Sequence, residues 1–289
     1  MIGESGSGKT VSSRAVIGLL PESARVSGSA RFDGQELIGL REAELQKHRG
    51  ASIAMVFQDP SRSLNPTMRV GSQITEAIET HLPLEGMASR ERAIELLELV
   101  RLPSPEQRFH EYPHQLSGGM RQRVVIAIAL APNPRLLIAD EATTALDVTT
   151  QAQIMELLAD LQRELGMALV MISHDLGLAA SFADEVVVMY AGRAVEQAPT
   201  RKLFAQVRMP YTKALLEAIP RIEHPPHSLL PVVPGRPPDL AALPDGCPFH
   251  PRCPNARERC SESAPPFEEQ EPDHSWACFF PCRNGVGAA

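Results

Sequence analysis

The chain has 289 residues, 43% of them apolar, enough to bury a sizeable core as one large domain or two smaller ones. Its formal net charge of −7 offers nucleic acid no bulk attraction, although so mild an excess is compatible with a local basic groove. No apolar run approaches the ~18–20 residues of a membrane span and no basic-then-apolar leader opens the sequence, so a cytoplasmic location is expected.

The first pattern begins at once. Gly3-Glu4-Ser5-Gly6-Ser7-Gly8-Lys9-Thr10 fits G-x-x-x-x-G-K-[ST] at every fixed position. Glycines let such a loop curl until successive backbone N–H groups face phosphate oxygens, and the helix that follows adds its positive end. Lys9 is placed to reach the β- and γ-phosphates of a nucleoside triphosphate, and the Thr10 hydroxyl to ligate Mg2+. A buried strand normally leads into this loop, yet only Met1 and Ile2 precede it, so the N-terminal strand of the expected sheet is missing from this sequence.

Lys9 to Leu20 reads as a helix closed by Pro21, and Ser27 to Leu37 as a hairpin turning at Asp33-Gly34. Ala51 to Phe57 is a short β-prone run that leaves Gln58 at a strand's carboxyl end, where ligands sit in open α/β sheets. The pattern then turns helical over about 70–131, with helices expected at Gly71–His81, Ala88–Val100, Pro105–Glu111 and Gly118–Ala131. Arg121 and Arg123 on the last of these read as an exposed face near Glu111 rather than a basic patch. Strands at Arg135–Ala139, Ala168–Ser173 and Glu185–Tyr190 alternate with a helix at Thr149–Leu165, which predicts an α/β fold with a parallel, layered sheet.

Apolar Leu136 to Ala139 runs into Asp140-Glu141, putting two carboxylates at a buried strand's exit. Asp140 is expected on the metal through water, and Glu141 as the general base that orients the attacking water. Between the loop and this pair, Leu116-Ser117-Gly118-Gly119-Met120-Arg121-Gln122 opens a helix with bare backbone donors, a second anion site able to clamp a phosphate from the other side. Ser173-His174-Asp175 closes the last core strand before the hairpin.

Composition shifts at Pro220. Eleven prolines fall between Pro220 and Pro254, so 220–246 reads as an extended connector to a cysteine-rich segment, 247–289. All five cysteines lie there, four of them spaced C-x5-C-x6-C-x17-C as Cys247, Cys253, Cys260 and Cys278. Clustered cytoplasmic thiols point to metal before disulfide, and the spacing alone leaves iron–sulfur and zinc both open. Either would staple a tail expected to lack a core of its own.

The phosphate loop, Gln58, Leu116–Gln122, Asp140-Glu141, Ala145-Leu146-Asp147 and Ser173-His174-Asp175 follow in the order and spacing of the ATP-binding cassette family, which the chain resembles from Met1 to about Pro220. The resemblance implies a phosphate-loop NTPase of that type over 1–219, with a mostly helical subdomain inserted at about 70–131. It implies that ATP and Mg2+ are bound by Gly3–Thr10, Gln58 and Asp140, with Glu141 catalytic and His174 contacting the γ-phosphate. Asp147 resembles the aspartate at the dimer seam, and Ser117 to Gly119 resemble the motif that acts on nucleotide held by a second ATPase subunit. No aromatic residue upstream of the loop is present to stack on adenine.

The run from Gly246 to Pro254, with Trp276-Ala277-Cys278, Tyr112-Pro113-His114-Gln115 and Met209-Pro210-Tyr211-Thr212, resembles the oligopeptide/dipeptide importer ATPases, some of which carry a [4Fe–4S] cluster in this extension. That resemblance implies an ATPase motor at the cytoplasmic face of the membrane, working with membrane-spanning permease subunits and, indirectly, an extracytoplasmic solute-binding protein, without nucleic acid. A soluble cassette ATPase of DNA repair or the ribosome is the alternative reading, disfavoured by the lack of a long coiled coil or a second cassette; an inactive truncated cassette is the third.

Overall fold

Most of the alternating apolar runs and helical stripes between Lys9 and Glu217 become helices and strands in the computed structural model, which describes residues 1–143, 146–219 and 231–282, but the run Glu185–Tyr190 pairs in an antiparallel sheet rather than in the parallel one expected of it. The chain divides into two compact units, Thr10–Ile172 and Met1–Lys9 with Ser173–Ala289.

In the first unit, α1 (Lys9–Val16) stops four residues short of Leu20, the expected last residue before Pro21. Gly18 takes a left-handed φ of 64° and Leu19 N closes the helix end on Arg14 O at 2.8 Å, while Arg49 donates to the two carbonyls just past the helix, Nε to Ile17 O at 2.7 Å and Nη2 to Gly18 O at 2.9 Å. The hairpin β1 (Arg31–Phe32) and β2 (Gln35–Glu36) turns at Asp33-Gly34 as expected, and a short α2 (Glu42–Leu45) follows. The strands β3 (Ile53–Val56), β4 (Leu136–Asp140) and β5 (Ala168–Ile172) form a parallel sheet in that order, with Ala54 opposite Leu137 and Ala139 opposite Met171. β4 is buried almost throughout, which is why it reads as an unbroken apolar run rather than an alternation.

The helical insert comprises α3 (Pro60–Ser63), α4 (Val70–His81), α5 (Gly86–Leu99), α6 (Pro105–Phe109), a 3-10 turn at Pro113–Gln115 and α7 (Gly118–Leu130). Its core is Ile74 and Ile78 of α4 with Ala93, Leu96 and Leu97 of α5, spaced to share one helix face each and fully buried. A Cβ at Gly71 would stand 2.4 Å from the Phe109 ring, so α4 and α6 meet over a residue without a side chain. Arg123 departs from the exposed face expected of it. It is half-buried and donates to Val100 O at 2.7 Å, capping the end of α5. Glu111 is paired with Arg108 instead. α8 (Val148–Leu165) is capped by Asp147 at its start and by left-handed Gly166 at its end.

In the second unit, Ile2 makes parallel bridges to Ser173 and Val188. After α9 (Leu176–Phe182), β6 (Glu185–Tyr190) turns through Ala191 and Gly192, both at positive φ, into antiparallel β7 (Arg193–Pro199). Helices α10 (Thr200–Ala205) and α11 (Pro210–Glu217) follow. The tail is not the coreless appendage its prolines suggest. A 3-10 turn (His250–Arg252), α12 (Glu258–Glu262), β8 (Glu268–Glu271) and β9 (His274–Trp276) are ordered elements, and the strands extend the hairpin into a four-stranded sheet, β6-β7-β9-β8. Phe249 and Trp276 are buried, Phe249 against Tyr190 and Tyr211. Isolated aromatics between prolines show no period, so their burial leaves no pattern in the sequence. Residues 220–230 of the connector, Ala145 and residues 283–289 lie outside the described residues.

Candidate functional site

The phosphate loop is built around backbone that tolerates no side chain at two points. Gly3 has φ 151° and a Cβ there would stand 2.2 Å from Met189 O; Gly8, at φ 97°, would place one 3.1 Å from Gly192 Cα. Ile2 seats the loop's leading edge, its N–H donating to Val187 O at 2.9 Å and its carbonyl accepting from Met189 N at 2.8 Å. Lys9 is 4% exposed. Its Nζ donates to Gly3 O at 2.8 Å, Glu4 O at 3.0 Å and Ser7 Oγ at 3.4 Å, so the ammonium is held over the loop it belongs to. Buried glycine backbone with one lysine is the donor set a polyphosphate requires.

Two residues absent from the sequence-derived set also hold this loop. Tyr211 Oη accepts from Glu4 N at 2.8 Å, and burial pushes the Tyr211 phenol above its ordinary range. Arg252 forks onto the Glu4 carboxylate, Nη1 to Oε2 at 2.7 Å and Nη2 to Oε1 at 2.9 Å. The Glu4 carboxylate holds the guanidinium charged beyond its already high ordinary range, against the opposing effect of burial. Both residues sit in stretches whose pattern marks the importer subfamily, but 200 residues or more of sequence hide their partner. His174 follows Ser173, whose N–H donates to Met1 O at 3.0 Å, and precedes Asp175, the cap of α9.

Thr10 directly follows Lys9 in the chain. Its hydroxyl donates to Asp140 Oδ1 at 2.8 Å, at the carboxyl end of β4, where Asp140 is 1% exposed. Glu141 then takes a left-handed φ of 48°, unusual for a residue with a side chain, while its N–H donates to Ile172 O at 3.0 Å. This turn brings Glu141 Oε2 to Gln58 Nε2 at 2.7 Å. The residues that could hold a divalent cation are therefore a hydroxyl, an amide and one buried carboxylate, a set that suits Mg2+ completed by phosphate oxygens and water. The sequence brings these side chains from three separate segments, and the structure joins them in two pairs, Thr10 with Asp140 and Gln58 with Glu141.

Leu116 is buried, while Ser117 is exposed and caps α7 through Met120 N at 3.3 Å. A Cβ on Gly119 would stand 2.7 Å from Thr150 Cγ2, too close to be accepted without a shift, whereas one on Gly118 would meet Leu146 Cδ2 at an ordinary 3.4 Å. Met120 and Arg121 are half-buried, and Gln122 is fully buried with neither amide atom hydrogen-bonded. Asp147 accepts from Thr150 Oγ1 and N, which lowers its carboxyl pKa below the ordinary range.

Cys247, Cys253, Cys260 and Cys278 line one cavity of about 10 Å3 together with Phe249 and Phe279, and Cys247 N donates to Cys260 O at 2.8 Å. Burial pushes Cys253 up to about 11 and Cys278 up to about 12. Thiols suit a soft metal, and the four converge. Among the described residues, however, no three Cys, His, Asp or Glu side chains stand in a ligating arrangement. Among them also, no helix is long and apolar enough to cross a membrane.

A family model for the ABC transporter matches residues 1–144, and one for the oligopeptide/dipeptide transporter C-terminal region matches 195–260. The oligopeptide transport ATP-binding protein OppD of Escherichia coli (strain K12) is 50% identical over 281 residues, 97% of this chain and 83% of that one. OppD of Mycobacterium tuberculosis is 51% identical over 280 residues, 96% of this chain and 46% of the longer relative. Among solved structures, a dimeric, post-hydrolysis state of the ATP-binding cassette MJ0796 bound to ADP and Pi aligns with TM-score 0.61 and 32% identity over 69% of this chain and 84% of that one. The cassette cbiO1 of Clostridium perfringens, part of the transporter complex cbiONQ, aligns with TM-score 0.61 and 30% identity over 71% and 77%.

Proposed function

Because the chain belongs to the ATP-binding cassette transporters, in the branch that carries the oligopeptide/dipeptide C-terminal region, we propose that it is the ATP-hydrolysing motor subunit of an importer for oligopeptides or dipeptides. Gly3–Lys9 hold the phosphates, and Thr10, Gln58 and Asp140 hold Mg2+. The cation neutralises charge developing on the transferred phosphoryl group. Glu141 orients and deprotonates the attacking water, Gln58 fixes the carboxylate that does so, and His174 contacts the γ-phosphate.

Ser117, Gly118 and Gly119 act on the nucleotide of a second cassette subunit, with Asp147 at the seam. Their bare backbone donors, at the start of a helix capped by an exposed serine, support a role toward a partner. A single copy is nearly idle for that reason. Closure of the pair around ATP is passed to membrane-spanning permease subunits at the cytoplasmic face of the membrane, and solute reaches them from an extracytoplasmic binding protein. No nucleic acid takes part. The four convergent cysteines, Cys247, Cys253, Cys260 and Cys278, are the residues that would hold a [4Fe–4S] cluster, a link between segments rather than an electron carrier.

The observation that carries the reading is Glu141, turned by its left-handed backbone onto Gln58 beside the buried Asp140. With the partner subunits present, Glu141→Gln is expected to keep ATP affinity while turnover falls about 10²–10⁴-fold, the contribution of a positioned base. Hydrolysis at the unaltered rate removes Glu141 from the reaction.

A further inference from the structure

Glu4 is the only acidic residue of the loop Gly3–Thr10. A carboxylate there repels a triphosphate unless its charge is cancelled. Arg252 cancels it, through the two-pronged contact of 2.7 and 2.9 Å, with the arginine side chain only 5% exposed and Glu4 22% exposed.

The arginine is itself fixed from behind. Nε donates to Pro234 O at 2.6 Å, Nη1 to Tyr190 Oη at 3.3 Å and Nη2 to Val233 O at 3.5 Å. The guanidinium lies 5.8 and 5.9 Å from the ring centres of Tyr190 and Phe249. On the other side of Glu4, its N–H is taken by Tyr211, which packs on the same Phe249 ring at 5.3 Å. One residue of the phosphate loop is thus bound at both its carboxylate and its amide by side chains more than 200 residues away.

Arg252 is carried on the cysteine-bearing turn. Arg252 N donates to Phe249 O at 3.0 Å, His250 N to Cys247 O at 2.9 Å and Cys253 N to His250 O at 3.2 Å. Two cysteines therefore bracket the arginine within six residues of chain, tied by consecutive backbone bonds. Retaining the tail does not require this contact, because β7 pairs with β9 and Glu196 with His274 elsewhere.

We propose that Arg252 is a positioning residue of the nucleotide site, which neutralises and fixes Glu4 so that the cysteine-rich segment sets the affinity of the phosphate loop. The proposal rests on Gly3–Thr10 being the triphosphate loop. It makes nucleotide affinity responsive to whatever orders the turn from Cys247 to Cys253.

The test is equilibrium binding of N-methylanthraniloyl-ATP with Mg2+ to the full chain. Arg252→Ala is expected to raise Kd about tenfold, the loss of one charge-assisted forked contact. Arg252→Lys, which keeps charge without the fork, falls between. Glu4→Ala combined with Arg252→Ala binds no more weakly than Arg252→Ala alone, since the unpaired carboxylate is gone; a purely structural arginine would not answer to Glu4. Arg252→Gln, uncharged and of similar shape, replaces the alanine variant if that variant does not fold. An unchanged Kd in Arg252→Ala or Arg252→Gln, or losses that add in the double variant, overturns the proposal. A parental chain that does not bind the probe, with Lys9→Ala no different, is the failure of the triphosphate-loop reading and takes the proposal with it.

Discussion

Removing the imidazole of His274 is expected to release the C-terminal strands while leaving the rest of the chain folded. Glu196 and His274 are both fully buried, and His274 Nε2 meets Glu196 Oε1 at 2.9 Å. Breaking such a pair by deleting one partner costs about 3–5 kcal/mol, because the remaining polar group stays buried. Glu196 keeps two other donors, Arg208 N at 2.6 Å and Met209 N at 3.2 Å, which puts His274→Ala at the low end, about 3 kcal/mol, or roughly two powers of ten in the opening equilibrium. β9 is in register with β7 at just two residue pairs, Glu196↔Trp276 and Gln197↔Ser275, with one further backbone bond from Ala277 N to Val195 O at 2.9 Å, so the loss falls on this strand first. Trp276 is the sole tryptophan and is 4% exposed, a built-in reporter. In a urea titration, its emission maximum should shift to the red well before helical circular dichroism is lost, whereas in the parental chain the two transitions lie closer together. Wavelength rather than intensity is read, because the His274 ring lies 5.0 Å from the indole. His274→Gln, which retains a donor, should fall between. A tryptophan transition in His274→Ala that superimposes on the parental one refutes the reasoning.

Two further outcomes test the cysteine segment. Gly246 has φ 70°, and a Cβ there would stand 2.4 Å from Cys260 O, so Gly246→Ala should lower the melting temperature and speed labelling of the neighbouring thiols; an unchanged melt would show that the turn relaxes freely. In the chelated, metal-free chain at pH 8, Cys253 and Cys278 should react with iodoacetamide about a hundredfold more slowly than in urea, because thiols held at about 11 and about 12 expose little thiolate. The sign for stability follows: folded thiols titrate above unfolded ones, so their contribution is complete below the unfolded pKa and is lost as pH rises through about 11–12. Equal labelling rates, mapped by mass spectrometry, would contradict the buried placement.

Most of the α/β core was legible because burial on both faces leaves continuous apolar runs, as in Leu136–Ala139, and because helices carry a stripe, as at Ile74 and Ile78. An ATPase was legible too, since Gly3–Thr10 matches the pattern of a loop that must present backbone donors and one ammonium. The end of α1 was misread, because Pro21 is a visible stop whereas the actual stop is at left-handed Gly18, whose carbonyl and that of Ile17 are taken by Arg49 from another segment. The tail was misread for a similar reason: Phe249 and Trp276 acquire a core only from Tyr190, Tyr211 and the edge of β7.

The order of motifs along the chain was enough to indicate the family and its ATPase chemistry, because local backbone demands and short spacings are written into consecutive residues. Tertiary structure alone decided which side chains meet: Thr10 with Asp140, Gln58 with Glu141, Glu196 with His274, and Arg252 with Glu4. Hydrogen bonds between residues tens to hundreds of positions apart depend on how the elements pack, and packing direction has no period, spacing or composition by which a single sequence could announce it.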